Sequence, residues 1–214
     1  PILGLLIAGL LPFLPLLSKE RPWEAAFWLL ASFMIVAWAL ILLRGPHEDA
    51  PTRVSHLVTG VLYGSAGMAA LAAVRIIPHD GLAFAVAAMT ITWANDTSAY
   101  FAGRMFGKRK LAPTVSPNKT WEGFYGGMVG SVGGMFIARG FFFPQLTVVD
   151  CLVLGLGGSV LGPLGDLCES LIKRTYGAKD SGRSIPGHGG FLDRLDAMLF
   201  NALWVFVYVE FLRG

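Results

Sequence analysis

Seven apolar stretches separated by short polar segments dominate this sequence. They cover approximately residues 1–17, 23–43, 54–77, 81–103, 123–143, 147–172 and 191–212. About 20 apolar residues suffice for a helix to cross the hydrocarbon core of a bilayer. Only 14% of the 214 residues are charged, against about 25% in a typical soluble domain. We therefore expect an all-α, polytopic transmembrane helical bundle with about seven spans, and neither a soluble globule nor a disordered chain.

The basic residues indicate how such a bundle is oriented. Seven spans place residues 44–53, 104–122 and 173–194 on one side, and these segments hold 12 of the 17 lysines and arginines. Since cytoplasmic loops are enriched in Lys and Arg, we expect this side to be cytoplasmic. Residues 91–214, with the loops 104–122 and 173–194, then form the candidate catalytic region. Residues 1–90 are interpreted as transmembrane scaffold.

The fourth apolar stretch contains an unusual polar pair, Asn95-Asp96. An Asp at the bilayer centre costs about 2.5–3.5 kcal/mol on insertion scales. Helical spacing puts Trp93, Asp96, Tyr100 and Gly103 on one face. This face is expected to line a cavity or the interior of the bundle; a solvated Asp at an interfacial helix end is the alternative.

The loop that follows combines hydroxyls, an amide and cations with two stiffening prolines. Its candidate ligand-binding residues are Ser116, Asn118, Lys119 and Thr120, just before the next helix. Donors and cations at a helix N-terminus are suited to binding a phosphate group. The glycine spacing of a Walker P-loop is absent. A basic juxtamembrane loop that contacts anionic lipid head groups is the alternative.

Carboxylates concentrate on the last two predicted helices. Asp166, Glu169 and Lys173 share a helix face, and Asp193 and Asp196 stand three residues apart at the start of the last stretch. A structural salt-bridge stripe and N-terminal capping are alternative explanations. Oxygen ligands beside Lys and Arg suit Mg²⁺ better than zinc. Mg²⁺ with cationic side chains is typical of phosphoryl or nucleotidyl transfer.

His188 lies between glycines in the last polar loop, where the backbone can approach a ligand closely. A general base, a donor to phosphate and a loop hydrogen-bonding residue are the three roles open to it. The phosphate or structural role is favoured over the base.

A longer pattern then becomes visible across residues 170–196. It reads Ser170-x-x-Lys173-Arg174, then Lys179-Asp180, then Pro186-x-His188-Gly189-Gly190-x-x-Asp193-Arg194-x-Asp196. This pattern resembles the signature of the phosphatidate cytidylyltransferases, also called CDP-diacylglycerol synthases. Asn95-Asp96, residues 116–120 and residues 165–170 resemble the same family, so the similarity covers roughly residues 91–200.

The resemblance implies an enzyme of the bacterial inner membrane whose active site faces the cytoplasm. It implies that CTP and phosphatidic acid condense to CDP-diacylglycerol and pyrophosphate, with Mg²⁺, often a nearby K⁺, a homodimer and no nucleic-acid partner. Family members generally have further N-terminal helices. Because this chain begins without Met inside an apolar run, we expect upstream helices to be missing.

The resemblance also implies roles for particular residues. Asp166 and Asp193 would hold the metal, with Asp196 and Glu169 beside them. The catalytic set would comprise Asp166, Asp193, Asp196, Lys173, Arg174, Lys179 and His188. The substrate-binding set would comprise Asp96, Ser116, Asn118, Lys119, Thr120 and Arg194, without a division between nucleotide and lipid phosphate.

Two other functions compete with this one. A CTP-linked kinase or a CDP-lipid synthase acting on a polyprenyl-type lipid would use similar residues. A secondary transporter for an anionic solute would also place charges within its spans. Transporters often show paired repeats, however, and here the charge lies in the C-terminal half without a counterpart in the earlier stretches.

Overall fold

Helices make up most of the computed structural model, which describes residues 2–13, 22–44, 48–178, 180–182 and 190–213. The α-helices in these ranges are α1 (Ile2–Leu10), α2 (Pro22–Arg44), α3 (Ala50–Arg75), α4 (Gly81–Phe106), α5 (Trp121–Phe141), α6 (Val148–Thr175) and α7 (Leu192–Val207). A 3₁₀ turn, Leu11–Phe13, follows α1, and a π-helix, Tyr208–Leu212, continues α7. The all-α prediction is confirmed in this respect.

One segment departs from that prediction. Residues 104–122, expected as a loop, contain a small antiparallel hairpin of β1 (Lys110–Ala112) and β2 (Ser116–Thr120). Lys110 pairs with Thr120 and Ala112 with Ser116, and the register shifts between the two pairs. The hairpin closes the short gap between α4 and α5 and satisfies backbone groups that an open loop would leave to water.

The chain folds as two compact units, Pro1–Ile76 and Ile77–Gly214. In the first unit, α1 and α2 each pack on α3. Its core consists of Ile7, Leu11, Phe33, Ala37 and Val61. The second unit contains α4 to α7 and the hairpin. The functional division at residue 90 stays a prediction.

Three helical segments in the described ranges are long and apolar enough to cross a membrane: Ala50–Arg75, Val148–Thr175 and Leu192–Leu212. They coincide with the third, sixth and seventh predicted spans. Helices α4 and α5 are also long, with 26 and 21 residues, but Asn95 and Asp96 in α4 and the many glycines of α5 lower their hydropathy. The total of seven spans stays a prediction.

Glycines bring α4 and α5 close together. A Cβ added at Gly126, Gly130 or Gly134 would collide with α4, at Ala102, Ser98 and Ala94 respectively. Small residues four apart allow such close helix packing in membranes. These three glycines therefore allow α4 and α5 to pack closely.

A proline inside α6 creates a second connection, between α6 and α4. Pro163 has no N–H, so the carbonyl of Ser159, four residues earlier, lacks its helical donor. Asn95 of α4, which is only 2% exposed, donates through Nδ2 to that carbonyl at 3.5 Å and to Ser131 Oγ at 3.1 Å. The amide of Asn95 thus satisfies the freed carbonyl, and it ties α4 to α5 and α6 directly beside Asp96.

Charged groups join α4, α6 and the π-helix at the opposite end of this unit. Tyr208 donates to Asp150 Oδ1 at 2.7 Å, and Arg213 lies 3.4 Å from both Asp150 and Asp80. The guanidinium also stacks over Phe84, 4.6 Å from the ring centre. Asp150 is 1% exposed, so these partners offset the cost of burying its charge. The unit is therefore held together at the end remote from the hairpin.

Candidate active site

A cavity of about 600 Å³ opens between α4, the hairpin, α5 and α6. Predicted site residues that line it are Asp96, Asn118, Lys119, Thr120 and Asp166. These residues come from three elements and are separated by up to 70 positions in the chain. Their meeting at one cavity makes it the candidate active site.

Lys119 and Asp166 form the central ion pair of this cavity. Lys119 Nζ lies 2.6 Å from Asp166 Oδ2 and donates to the carbonyl of Pro163 at 3.4 Å. The hydroxyl of Ser170 donates to the other carboxylate oxygen of Asp166 at 3.3 Å. Asp96 interacts electrostatically with both members of the pair. The hairpin therefore delivers one cation to a site with two carboxylates.

A second lysine holds another pair of carboxylates. Lys173 Nζ lies 3.1 Å from Glu169 Oε2 and 2.6 Å from Asp193 Oδ1. The side chain of Glu169 is only 2% exposed, and that of Lys173 is 15% exposed. The predicted spacing of Glu169 and Lys173 on one face of α6 thus produces a buried contact. Lys173 also connects α6 to the start of α7.

Asp193 is the most extensively hydrogen-bonded carboxylate of the site. Its Oδ2 accepts from the backbone N–H of Ser181 at 2.9 Å, from the hydroxyl of Ser181 at 2.8 Å and from the N–H of Gly190 at 2.7 Å. Its other oxygen accepts from Lys173. Asp193 therefore fastens residues on both sides of the preceding loop to the first turn of α7.

Asp196 interacts with both lysine-bound groups, which are the Lys119–Asp166 pair and the cluster of Lys173, Glu169 and Asp193. It accepts from the N–H of Ala197 at 2.7 Å and interacts electrostatically with Asp166, Asp96 and Glu169. Glu169 in turn interacts with both Asp193 and Asp196. The two ion-paired groups are thus one acidic centre, and Asp196 is their common neighbour.

The chemistry of this acidic centre fits a hard divalent cation. Its donors are carboxylate oxygens, the ligands that Mg²⁺ prefers. Glu169 Oε1 is buried and has no hydrogen-bond partner among the described residues. Asp96, Asp166 and Asp196 repel one another at close range. In the described ranges, however, no three His, Cys, Asp or Glu side chains converge as a ready metal cage. Lysines hold the carboxylates in this structure.

The hairpin is positioned by the first turn of α5. Thr120 caps this helix, because its hydroxyl oxygen accepts from the N–H of Gly123 at 3.1 Å. Glu122 accepts from the backbone N–H groups of Lys108 and Arg109, at 3.0 and 3.2 Å. These hydrogen bonds, the one from Lys108 first, lower the pKa of Glu122 from 4.5 to about 2. The carboxylate is therefore charged at neutral pH and anchors the strand that leads to Lys119.

Comparison with known proteins identifies the family of this chain. A model of the cytidylyltransferase family matches residues 2–212. This chain belongs to the cytidylyltransferase family. The resemblance found in the sequence is thereby confirmed.

Curated relatives carry the name phosphatidate cytidylyltransferase. The chain is 35% identical to the one from Staphylococcus saprophyticus over 200 residues, 91% of this chain and 76% of that protein. It is 46% identical over 121 residues to that of Staphylococcus epidermidis, covering 56% of this chain and 46% of the relative. It is 45% identical over 127 residues to that of Bacillus subtilis, covering 59% of this chain and 47% of the relative. In the last two matches the chain spans about half the length of its relative.

Other predicted site residues lie outside the cavity of this cytidylyltransferase-family chain. Ser116 begins β2 and is not among the cavity-lining residues, and Trp93 is exposed. Arg174 donates to the carbonyl of Ala178 at 3.3 Å, and Arg194 is exposed on α7. Lys179 and His188 lie outside the described residues. The roles assigned to all of these side chains stay predictions.

Sequence reasoning missed three contributors to the site. The sequence prediction assigns no role to Pro163, although a proline within an apolar run signals a freed carbonyl nearby. It includes Arg104 only as a loop charge, yet Arg104 lines the cavity, four residues after Tyr100 on the same helix face. Ser181, which holds Asp193, carries no sequence signal that distinguishes it from other loop serines.

Proposed function

We propose that this chain belongs to a membrane nucleotidyltransferase that condenses CTP with phosphatidic acid, giving CDP-diacylglycerol and pyrophosphate in phospholipid biosynthesis. The observation that carries the proposal is the acidic centre, which comprises the Lys119–Asp166 ion pair at the cavity and the neighbouring Lys173–Asp193 ion pair. The names of these relatives support the same reaction.

The reaction joins two anions, so charge neutralisation and positioning are its main requirements. An oxygen of the phosphatidate phosphate attacks the α-phosphorus of CTP. The bond from that phosphorus to the β-phosphate oxygen breaks, and pyrophosphate leaves. Because the attacking oxygen is already anionic, no general base is required.

The two lysines supply the positive charge that this reaction needs. Lys119 and Lys173 each lie 2.6 Å from a carboxylate, so they are already held at the acidic centre before any phosphate arrives. We assign Lys119, with Asn118 and Thr120, to a substrate phosphate at the cavity. Lys173, which is bound to Glu169 and Asp193, keeps α6 and α7 aligned and contributes a second positive charge. Arg174, Lys179, His188, Arg194 and Ser116 are proposed as further phosphate-binding residues.

Asp166, Asp196, Glu169 and Asp193 are the residues that would hold Mg²⁺, with Asp96 nearby. The unpartnered Oε1 of Glu169 and the mutual repulsion of the neighbouring carboxylates support this assignment. Bound Mg²⁺ would supply charge neutralisation of the reacting phosphates and of the leaving pyrophosphate. The K⁺ ion that the resemblance implies stays a prediction.

We further propose that the helices form seven spans of a bacterial inner membrane, with the active site facing the cytoplasm. The basic segments 104–122 and 173–194 support this orientation, because Lys and Arg favour the cytoplasmic side. The hairpin and the start of α7, which contribute Lys119 and Asp193 to the site, belong to these segments. The homodimer implied by the resemblance stays a prediction.

The test follows two phosphorus atoms of CTP separately. Purified protein in detergent is incubated with Mg²⁺, phosphatidic acid and CTP radiolabelled on either the α- or the γ-phosphate. The proposal predicts that the α-label moves into an organic-extractable lipid while the γ-label appears in pyrophosphate. Transfer of the γ-label to diacylglycerol or a polyprenol would instead identify a kinase. Solute uptake by proteoliposomes without lipid labelling would identify a transporter and overturn the proposal.

A further inference from the structure

Arg104 occupies the last full turn of α4 and lines the same cavity as Asp96 and Asp166. Asp96, Tyr100 and Arg104 follow one another at intervals of four residues, so they share a helix face. Eight residues of helix place Arg104 about 12 Å from Asp96 along the axis, towards the helix C-terminus. The cavity therefore contains two carboxylates, Asp96 and Asp166, and a guanidinium closer to the C-terminus of α4.

The charge of Arg104 is not balanced by a carboxylate in the part of the chain that the structure describes. Its hydrogen bond there is donated from Nη1 to the hydroxyl oxygen of Tyr100, at 2.8 Å. Among the described residues, the other cation that lines the cavity is engaged, since Lys119 lies 2.6 Å from Asp166. A guanidinium has five N–H donors, so Arg104 retains donors for an incoming anion.

Exposed aromatic side chains surround the same level of the bundle. Tyr100 and Phe101 on α4, with Trp121 and Tyr125 on α5, are all exposed. Trp and Tyr are enriched where a membrane meets water. Gly103 and Gly123 bring the two helices together at this level, since their backbones are in close contact. Arg104 therefore lies at the depth where lipid phosphates and water-borne phosphates both have access.

We infer that Arg104 binds a substrate phosphate group at the mouth of the cavity, and that Tyr100 is its positioning residue. Arg binds phosphate oxygens through two parallel N–H donors, which a point charge such as Lys does not reproduce. The hydroxyl of Tyr100 restrains one side of the guanidinium and leaves the rest of the fork directed to the ligand. The inference rests on the proposed function, because its phosphate belongs to either phosphatidic acid or CTP.

The experiment measures KM separately for CTP and for phosphatidic acid, together with kcat, in Arg104→Ala, Arg104→Lys and Tyr100→Phe. We expect Arg104→Ala to raise one of the two KM values about tenfold or more, which corresponds to about 1.4 kcal/mol. The kcat should stay within about twofold of wild type, since binding is lost and chemistry is not. Arg104→Lys should recover part of the loss, and Tyr100→Phe should cause a smaller rise in the same KM.

Lys108→Ala is the matched control. It removes one positive charge from the segment that follows α4, but the exposed side chain of Lys108 does not line the cavity, so both KM values should stay unchanged. A raised KM for phosphatidic acid identifies the lipid phosphate as the ligand, and a raised KM for CTP identifies the nucleotide. Unchanged values in a folded, active Arg104→Ala protein overturn the inference. A fall in kcat with both KM values unchanged also overturns it, since that marks an interaction made only in the transition state and not substrate binding.

The outcome for wild-type protein separates the two claims. If wild-type protein makes no labelled lipid, the proposed function fails and Arg104 is not at issue. If wild-type protein is active and Arg104→Ala matches it, only the present inference fails. Melting temperatures in detergent identify any variant that does not fold, and Arg104→Lys, which keeps the charge and most of the side chain, then supplies the KM comparison.

Discussion

Replacing Lys173 with Met should destabilise the protein more than most single substitutions. Lys173 bridges Glu169 and Asp193, at 3.1 and 2.6 Å, and connects α6 to α7. Met retains the length of the side chain but not its charge. The carboxylate of Glu169, 2% exposed and with Oε1 already unpartnered, would then be left without a cation.

The structure sets the size of the effect. Removing one partner of a buried ion pair costs about 3–5 kcal/mol. Because Lys173 is 15% exposed and Asp193 keeps its hydrogen bonds from Ser181 and Gly190, the lower end applies, about 3 kcal/mol. For a chain of this size that corresponds to a fall in Tm of about 6–12 °C.

The assay is thermal unfolding of the purified variants in detergent, as a double-mutant cycle. Glu169→Gln removes the stranded charge, so Lys173→Met combined with Glu169→Gln should recover about half of the loss, a coupling of about 1–2 kcal/mol. Two results refute the reasoning. One is a Lys173→Met protein as stable as wild type, and the other is a double variant whose loss equals the sum of the single losses.

Three further predictions concern the surroundings of the site. Asn95→Leu should lower the free energy of unfolding by about 1–2 kcal/mol, because the carbonyl of Ser159 loses its donor. Adding Pro163→Ala to this variant should recover part of the loss, since alanine restores the helical N–H. If the stability changes of the two substitutions simply add in thermal unfolding, Asn95 does not compensate for Pro163. Because the pKa of Glu122 is lowered from 4.5 to about 2, amide-exchange protection of the hairpin should persist above pH 4.5 and disappear as pH falls towards 2. Glu122→Gln should abolish this pH dependence. If the variant showed the same dependence of amide exchange on pH as wild type, Glu122 would not be the group that anchors the hairpin. Lys119→Ala should raise the KM of at least one substrate, and unchanged values for both would remove Lys119 from the phosphate site.

Features local to one helix could be predicted from the sequence. Long apolar stretches coincide with the long helices because burial in lipid requires both length and hydropathy. The Glu169–Lys173 contact follows from residues four apart on one helix. In each case a single helical repeat contains the whole signal.

Contacts between distant segments could not be predicted in this way. Lys119 and Asp166 are 47 residues apart, and their pairing depends on a hairpin that apolar periodicity does not indicate. The hairpin instead depends on local hydrogen bonds to Glu122, which hydropathy does not register. The hydrogen bonds from Ser181 to Asp193 depend likewise on how one particular loop closes. Helical spacing defines neighbours within one element but not across elements.

The central claim is that the acidic centre at the cavity transfers the nucleotidyl group from CTP to lipid. Its most direct test is the rate at which the α-label of CTP enters lipid in Asp166→Asn, compared with wild type and with Glu210→Gln, an exposed carboxylate on the π-helix. We predict that Asp166→Asn loses at least about a hundredfold in rate, while Glu210→Gln keeps wild-type activity and all three proteins elute and melt as folded species. An Asp166→Asn protein that labels lipid at close to the wild-type rate would contradict the claim.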